Sequence, residues 1–126
     1  VIPCGTPKSK AQTHRVAKGK LKVIYAGRLV IEAKQILKLT EAFVNASVAN
    51  SRLEFSIYGS GSQKSQVTSI LEHFKSSHHT EYKGAVKPSE MLDVIAKHHV
   101  FTLMSDYEGM PVALMEAMSC SVVPVC

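Results

Sequence analysis

Two glutamates near the end of the chain, Glu108 and Glu116, form an E-x7-E pair in a segment that reads as a loop followed by a helix. A helix that begins near Pro111 would present unpaired N–H groups and a partial positive charge, which suit a diphosphate. Glu116 stands among apolar neighbours, where an acid is costly without a hydrogen-bonding partner such as a ribose diol. Taken alone, a helix-capping acid and an ordinary helix carboxylate are the commoner explanations of the pair.

Basic and glycine residues follow two earlier apolar runs. Arg28 comes directly after Gly27, and Lys34 stands six residues later, at the front of a predicted helix. A guanidinium offers a planar fork to phosphate oxygens, so the two cations would converge on one anion. For two basic residues alone, we prefer a solvated Lys34. The Gly59-Ser60-Gly61 turn would let N–H groups approach a phosphate, but a tight strand-to-helix turn is the simpler explanation of a lone G-x-G.

Short β-branched runs alternate with amphipathic segments along the chain, which predicts successive β-α units. The predicted strands are Leu21–Ala26, Leu53–Tyr58, Thr80–Lys83, Val100–Met104 and Val122–Cys126. The predicted helices are Ala33–Val48, a segment with the stripe Val67, Ile70, Leu71 and Phe74, a segment opened by Lys87-Pro88-Ser89, and a segment from near Pro111 through Met118. This order predicts an α/β fold, a Rossmann-like, mainly parallel sheet with helices on both faces. The alternation of Leu53–Tyr58 indicates a half-buried strand near an edge.

Ligands of such folds bind beyond the carboxyl ends of the strands, so the loops after Ala26, Tyr58, Lys83 and Met104 are the candidate site. Length and composition support one domain, with 126 residues of which 45% are apolar. Residues 1–22 carry six basic side chains and no acid, while the remainder is nearly balanced. We therefore predict a basic interdomain linker or entry segment at 1–20 and a ligand-binding domain at 21–126. An arm for nucleic acid or anionic membrane is the alternative for the basic segment.

Histidines and cysteines form no recognisable reactive pattern. His78-His79 and His98-His99 are adjacent pairs without the i, i+4 spacing of a helical zinc site, so we interpret them as surface or strand-end residues. Three cysteines without a C-x-x-C motif predict a reduced, intracellular protein. Since the chain opens without Met and stops inside an apolar run, we expect it to be a piece of a longer protein.

Several short motifs occur in order along the chain. They are Val1-Ile2-Pro3-x-Gly5, Tyr25-Ala26-Gly27-Arg28-Leu29, Gly59-x-Gly61, Lys83-Gly84, and Ser105-x-x-Glu108-Gly109-x-Pro111 continuing to Glu116-Ala117-Met118. In this order the chain resembles, over nearly its whole length, the C-terminal donor-binding domain of the retaining GT-B glycosyltransferases of family 4 (group 1). Where that family usually has glycine, this chain has Gln35 and Ser121, and the usual proline of the last strand has moved one place to Pro124.

The resemblance implies roles residue by residue. The implied catalytic residues are Arg28 and Lys34, which would hold the donor diphosphate and stabilise its developing charge, and Glu108, which would line the donor sugar. The implied donor-binding residues are Glu116 at the ribose hydroxyls, Gly59 at the border of the phosphate pocket, Gly84 and Val86 at the nucleobase, the backbone of Gly109, Met110, Pro111 and Val112, and Gly27. No Asp-x-Asp motif exists, so cationic side chains and a helix terminus are expected to replace Mg²⁺, with no metal and no cofactor.

The function implied by the resemblance is a metal-independent hexosyltransferase, with this chain supplying the donor half. A sugar would move with retention from a nucleotide diphosphate sugar to a hydroxyl acceptor; a UDP-sugar is favoured, and GDP- and ADP-sugars are the alternatives. The missing N-terminal acceptor domain would be its partner, so the isolated fragment would bind nucleotide but be inactive. We expect a cytoplasmic protein, with contact at the inner face of a membrane as an option and no nucleic-acid partner. The competing hypothesis is a non-catalytic Rossmann-like module with a basic arm.

Overall fold

The computed structural model of the chain describes residues 19–30, 35–74, 79–103 and 112–125. Strands and helices alternate through these ranges, as the sequence predicts. The strands are β1 (Leu21–Ala26), β2 (Leu53–Tyr58), β3 (Thr80–Gly84), β4 (Val100–Thr102) and β5 (Val123–Val125). The helices are α1 (Ile36–Ala49), α2 (Lys64–His73), α3 (Met91–Ala96) and α4 (Val112–Ser119).

The strands form one five-stranded sheet in the order β3-β2-β1-β4-β5, and every described pair is parallel. The first strand, β1, lies at the centre of the sheet. Strands β2 and β3 follow on one side of it, and β4 and β5 lie on the other side. Right-handed crossovers place α1 and α2 on one face and α3 and α4 on the opposite face. The predicted Rossmann-like α/β fold is confirmed, and the strand order reverses beside β1, where such folds bind ligands.

The core lies on both faces of the sheet. In β1 the adjacent residues Ile24 and Tyr25, which point to opposite faces, both have no solvent exposure. On the α1 side, the helical stripe from Ile36 to Phe43 is buried as its spacing predicts. The Phe43 ring stacks on Phe55 of β2 with 4.2 Å between the centroids. This packing fixes the direction in which β1 and β2 deliver the loops at their carboxyl ends.

Strand β2 has the half-buried character that its alternating sequence predicts. Phe55 and Ile57 are buried on the α1 side, while Glu54, Ser56 and Tyr58 of the other face stay partly exposed. β2 is the second strand from the edge formed by β3. The alternation therefore reflects a polar sheet face that α3 and α4 leave uncovered.

Several predicted boundaries were wrong by a few residues. Helix α1 begins at Ile36, with Gln35 as its N-cap, and not at Ala33. Phe74 is the C-cap of α2 and is 40% exposed, so it does not extend the buried stripe. Strand β4 ends at Thr102 and strand β5 begins at Val123, one residue later than predicted. The predicted ends at Met104 and Cys126 lie outside the described residues.

The two departures from the usual glycines both fall on left-handed backbone. Gln35 has φ 44° and Ser121 has φ 60°, and they are the non-glycine residues with positive φ in the described ranges. Ser121 follows α4 in a Schellman arrangement, since its N–H donates to the carbonyl of Met118 at 3.1 Å and that of Val122 to Ala117 at 3.0 Å. Glycine is usual at such a position because a Cβ is strained there.

Ser121→Gly is therefore expected to raise the free energy of unfolding by about 1 kcal/mol, or the melting temperature by roughly 3–5 °C. Ser121→Ala is the matched control, because it also removes the hydroxyl but keeps the strained Cβ. Thermal denaturation of both variants measures the effect. Equal stabilities of the glycine and alanine variants would contradict it.

The proline in β5 is tolerated because of the side on which its nitrogen lies. The N–H of Val123 donates to the carbonyl of His99 at 3.0 Å, and the N–H of Leu103 donates to the carbonyl of Val125 at 2.9 Å. Since backbone groups of successive strand residues point to opposite sides, the nitrogen of Pro124 points away from β4. β5 is the edge of the described sheet, so Pro124 costs no hydrogen bond within it.

Candidate functional site

The loops after β1, β2 and β3 meet at the carboxyl edge of the sheet and are joined by backbone hydrogen bonds. The N–H of Gly27 donates to the carbonyl of Tyr58 at 3.1 Å, and the N–H of Leu29 to that of Ser60 at 2.9 Å. The N–H of Gly59 donates to the carbonyl of Gly84 at 2.9 Å. The fold thus brings the predicted residues Gly27, Arg28, Gly59 and Gly84 into one connected surface.

Glycine is required in the second loop because that loop touches the first one backbone to backbone. At Gly59, with φ 143°, an added Cβ would lie 1.8 Å from the carbonyl oxygen of Gly27. At Gly61, with φ 156°, it would lie 2.3 Å from that of Leu29. The N–H of Gly59 is already donated within the protein. These glycines therefore serve loop packing, and contact of Gly59 with a donor phosphate stays a prediction.

Arg28 projects from this fixed loop into solvent. Its side chain is exposed, and no carboxylate of the described residues lies within ion-pair distance of its guanidinium. Its carbonyl accepts a hydrogen bond from the Tyr25 hydroxyl at 2.8 Å. The backbone that carries the Arg28 guanidinium is therefore held in place, and the guanidinium itself is available to an anion at the edge of the sheet.

Glu116 lies in the second turn of α4 and is half-buried. Burial raises the pKa of its carboxyl above the ordinary value, and no opposing charge is involved. Among the described residues, none forms an ion pair or hydrogen bond with this carboxylate, although its backbone carbonyl accepts from the Ser119 hydroxyl at 2.7 Å. A partly desolvated acceptor without a described protein partner suits a ligand that donates hydrogen bonds.

The raised pKa of Glu116 has a consequence for stability. In the pH window between the ordinary glutamate pKa, about 4.3, and the raised folded value, the folded chain holds the proton more firmly than the unfolded chain. The contribution of Glu116 to stability therefore falls as pH rises through this window. In denaturant titrations from pH 4 to 7, the free energy of unfolding of wild type relative to Glu116→Gln is expected to fall as pH rises, because the other titrating groups are common to both chains. Identical pH profiles would contradict the assignment.

Other predicted residues lie at or beyond the limits of the described ranges. Val112 is the first residue of α4, Gly84 has φ 92°, and Val86 in the following loop is half-buried. Outside the described residues lie the predicted site residues Lys34, Glu108, Gly109, Met110 and Pro111, together with residues 1–18 of the basic segment.

The family model described as glycosyl transferases group 1 matches residues 8–126. The chain belongs to the group 1 glycosyltransferases. A curated relative, the GtfA subunit of the UDP-N-acetylglucosamine–peptide N-acetylglucosaminyltransferase of Streptococcus pneumoniae serotype 4 (strain ATCC BAA-334 / TIGR4), is 30% identical over 116 residues. That match covers 92% of this chain and 22% of the relative. The chain therefore spans about a fifth of the length of this relative.

Solved structures with the same fold are glycosyltransferases as well. TarM of S. aureus, in a complex that includes α-GlcNAc-glycerol and UDP, has a TM-score of 0.80 at 22% identity over 94% of this chain and 23% of its own. The C-terminal domain of the group 1 family protein LpcC of Francisella tularensis has a TM-score of 0.73 at 15% identity, covering 84% of this chain and 57% of that chain. At these identities the likeness shows the GT-B type of fold and no more.

Two tyrosines hold the loops of the site in this glycosyltransferase chain, and the sequence motifs alone did not assign them this role. The hydroxyl of Tyr82 donates to the carbonyl of Gly59 at 2.6 Å, and that of Tyr25 donates to Arg28 in the neighbouring loop. For Tyr25 the signal in the sequence is a hydroxyl within a mostly apolar strand, because a buried phenol requires a hydrogen-bond partner. Tyr82 lies in the polar strand β3, and its sequence carries no such signal. The partner itself cannot be read from spacing alone.

A separate groove of about 370 Å³ lies along the polar face of β2 and contains none of the predicted site residues. Its acids are neutralised within the protein, since Glu54 pairs with Lys20 at 3.1 Å and Glu81 pairs with Lys83. His98 lines this groove and is only 6% exposed, so of the two interpretations the surface residue is wrong, whereas its position two residues before β4 agrees with a strand-end residue. Burial lowers the pKa of His98, partly opposed by its hydrogen bond to the Val94 carbonyl.

Within the described ranges of this glycosyltransferase chain, no three His, Cys, Asp or Glu side chains lie close enough together to hold a metal ion. No described helix is long and apolar enough to cross a lipid bilayer.

Proposed function

We propose that the chain is the donor-binding half of a retaining hexosyltransferase of family 4. It would bind a nucleotide diphosphate sugar at the carboxyl edge of its sheet, and the sugar would pass to a hydroxyl acceptor. The observation that carries the proposal is Glu116, a half-buried carboxylate in α4 without an ion-pair or hydrogen-bond partner among the described residues. A ribose diol donates two hydrogen bonds to such a carboxylate, and a charged acceptor strengthens both.

The diphosphate is proposed to lie between Arg28 and the start of α4. Arg28 is exposed on a loop fixed by its neighbours, and the first N–H groups of a helix such as α4 have no intrahelical partner. As the glycosidic bond breaks, negative charge grows on the leaving diphosphate. A guanidinium and a helix terminus aimed at that charge lower the barrier without a metal ion. We assign supporting roles to Lys34 and Glu108 on the strength of the sequence motifs.

A UDP-sugar is the donor that we propose. The curated relative carries UDP-N-acetylglucosamine in its name, and the TarM complex contains UDP. The base would be received beside Gly84 and Val86, largely through backbone groups. Since backbone groups discriminate bases weakly, GDP- and ADP-sugars are the alternatives that a binding experiment must separate.

The acceptor is proposed to bind to a further domain of the whole protein. The chain covers 22% of its curated relative and 23% of TarM, so most of each of those proteins has no counterpart in it. Catalysis in a two-domain cleft needs both walls to hold donor and acceptor together. We therefore propose that this chain alone binds nucleotide but does not transfer sugar. A cytoplasmic location stays a prediction.

Isothermal titration of the folded chain with UDP, GDP and ADP tests the proposal. We expect UDP to bind with one site per chain and more tightly than the other two nucleotides. Arg28→Ala is expected to weaken UDP binding by about thirty-fold, as loss of a charge-assisted contact to phosphate does. Absence of binding by all three nucleotides at millimolar concentration would overturn the proposed function.

A further inference from the structure

The Tyr25 hydroxyl reaches under the first loop of the site. Tyr25 lies in β1, has no solvent exposure, and donates to the carbonyl of Arg28 at 2.8 Å. The loop passes close over the phenol, because a Cβ added at Gly27 would lie 3.1 Å from the Tyr25 oxygen. Glycine at position 27 therefore makes room for a side chain that holds the next residue.

This bond completes a set that fixes the backbone on both sides of Arg28. The N–H of Gly27 is held by β2 through Tyr58 at 3.1 Å, and the N–H of Leu29 is held by Ser60 at 2.9 Å. The Arg28 carbonyl, which lies between these two N–H groups in the chain, is the group that Tyr25 holds. The peptide plane after the Arg28 Cα is thus anchored at both of its polar groups, the Arg28 carbonyl and the Leu29 N–H, while the side chain of Arg28 is exposed.

We propose that the Tyr25 hydroxyl is a positioning group for Arg28 in donor binding, an inference that rests on the proposed function. With the backbone fixed in advance, diphosphate binding orders only the arginine side chain and not the loop. A ligand then loses less affinity to conformational entropy. Without the hydroxyl, the peptide unit after Arg28 keeps only the hydrogen bond from the Leu29 N–H to Ser60, so the Cα from which the guanidinium projects is held less firmly.

The test is a double-mutant cycle measured by titration with UDP. Tyr25→Phe keeps the ring in the core and removes only the hydroxyl, and we expect it to weaken UDP binding about five-fold. In the Arg28→Ala background, the same substitution is expected to change affinity by less than two-fold, because its effect passes through Arg28. A merely structural role for Tyr25 would give the same loss in both backgrounds.

Ser47→Ala is the matched control. Ser47 is 2% exposed, and its hydroxyl donates to the Val44 carbonyl at 2.9 Å within α1, away from the loops. This variant is expected to lose stability without losing UDP affinity, and thermal melts confirm that each variant is folded at the titration temperature. Unchanged UDP affinity in Tyr25→Phe, or equal losses with and without Arg28, overturns the positioning role while leaving the proposed function intact. Failure of the wild-type chain to bind UDP overturns both.

Discussion

Replacing Glu116 by glutamine is expected to weaken UDP binding by about ten-fold or more and to raise the thermal stability of the free chain. The two effects have one cause. The half-buried carboxylate has a raised pKa because burial disfavours its charge, so a neutral side chain of the same shape removes that cost. The charge is what strengthens hydrogen bonds from a ribose, so its removal weakens binding.

Glu41→Gln is the control for this prediction, since Glu41 is an exposed acid on α1 and loses the same charge. UDP titration and thermal denaturation of both variants separate a local effect from one of net charge. Glu116→Gln with wild-type affinity would contradict the role of Glu116. A stability loss in that variant would show that the carboxylate has a stabilising partner in the free protein.

Replacing Gly59 by alanine is expected to cost about 4 kcal/mol or more in the free energy of unfolding. The new Cβ would lie 1.8 Å from the Gly27 carbonyl oxygen, so either the first or the second loop must move. Movement breaks the backbone hydrogen bonds that join them, in addition to the strain of φ 143° itself. Losses of this size belong to clashes and broken networks in the interior.

Gly84→Ala separates the clash from the backbone strain. Gly84 also has a positive φ, 92°, but a Cβ added there meets nothing within 4 Å. We expect this control to cost only about 1–2 kcal/mol, the strain of a left-handed residue. Denaturant titration of both variants gives the comparison, and similar losses would show that the loop contact is not the reason for glycine at 59.

Local sequence was sufficient to predict the strands β1 and β2. The runs Leu21–Ala26 and Leu53–Tyr58 are β1 and β2 to the residue, because glycine follows each run and its side chains suit a buried or half-buried strand. The alternating burial of β2 could be predicted for the same reason. These two strands deliver Arg28 and Gly59 to one edge, so this part of the site was predictable from sequence.

Contacts between distant segments were not predictable in this way. His98 precedes β4 like any strand-end residue, yet it is buried because α3 and the sheet close around it. Phe74 has the apolar spacing of α2, but the helix ends one residue before it. The need for glycine at position 59 comes from Gly27, more than thirty residues earlier in the chain. Such effects depend on tertiary packing, which no short window of sequence contains.

The backbone conformation explains the two departures from the family pattern, which the sequence alone did not. Gln35 and Ser121 replace glycines of the motif, and their positive φ explains why glycine is usual there. Both positions border helices of the site, since Gln35 caps α1 and Ser121 ends α4. The left-handed backbone at both positions carries strain that a glycine there would relieve.

The most direct measurement of the central claim compares UDP with 2′-deoxy-UDP, because the claim is that Glu116 binds the ribose hydroxyls. In the wild-type chain, UDP is expected to bind about ten-fold more tightly than 2′-deoxy-UDP, since the deoxy nucleotide lacks one hydrogen bond to a charged acceptor. In Glu116→Ala, the two nucleotides are expected to bind equally, at the weaker affinity. If Glu116→Ala still binds UDP about ten-fold more tightly than 2′-deoxy-UDP, the account is contradicted, because another group would then bind the ribose hydroxyls.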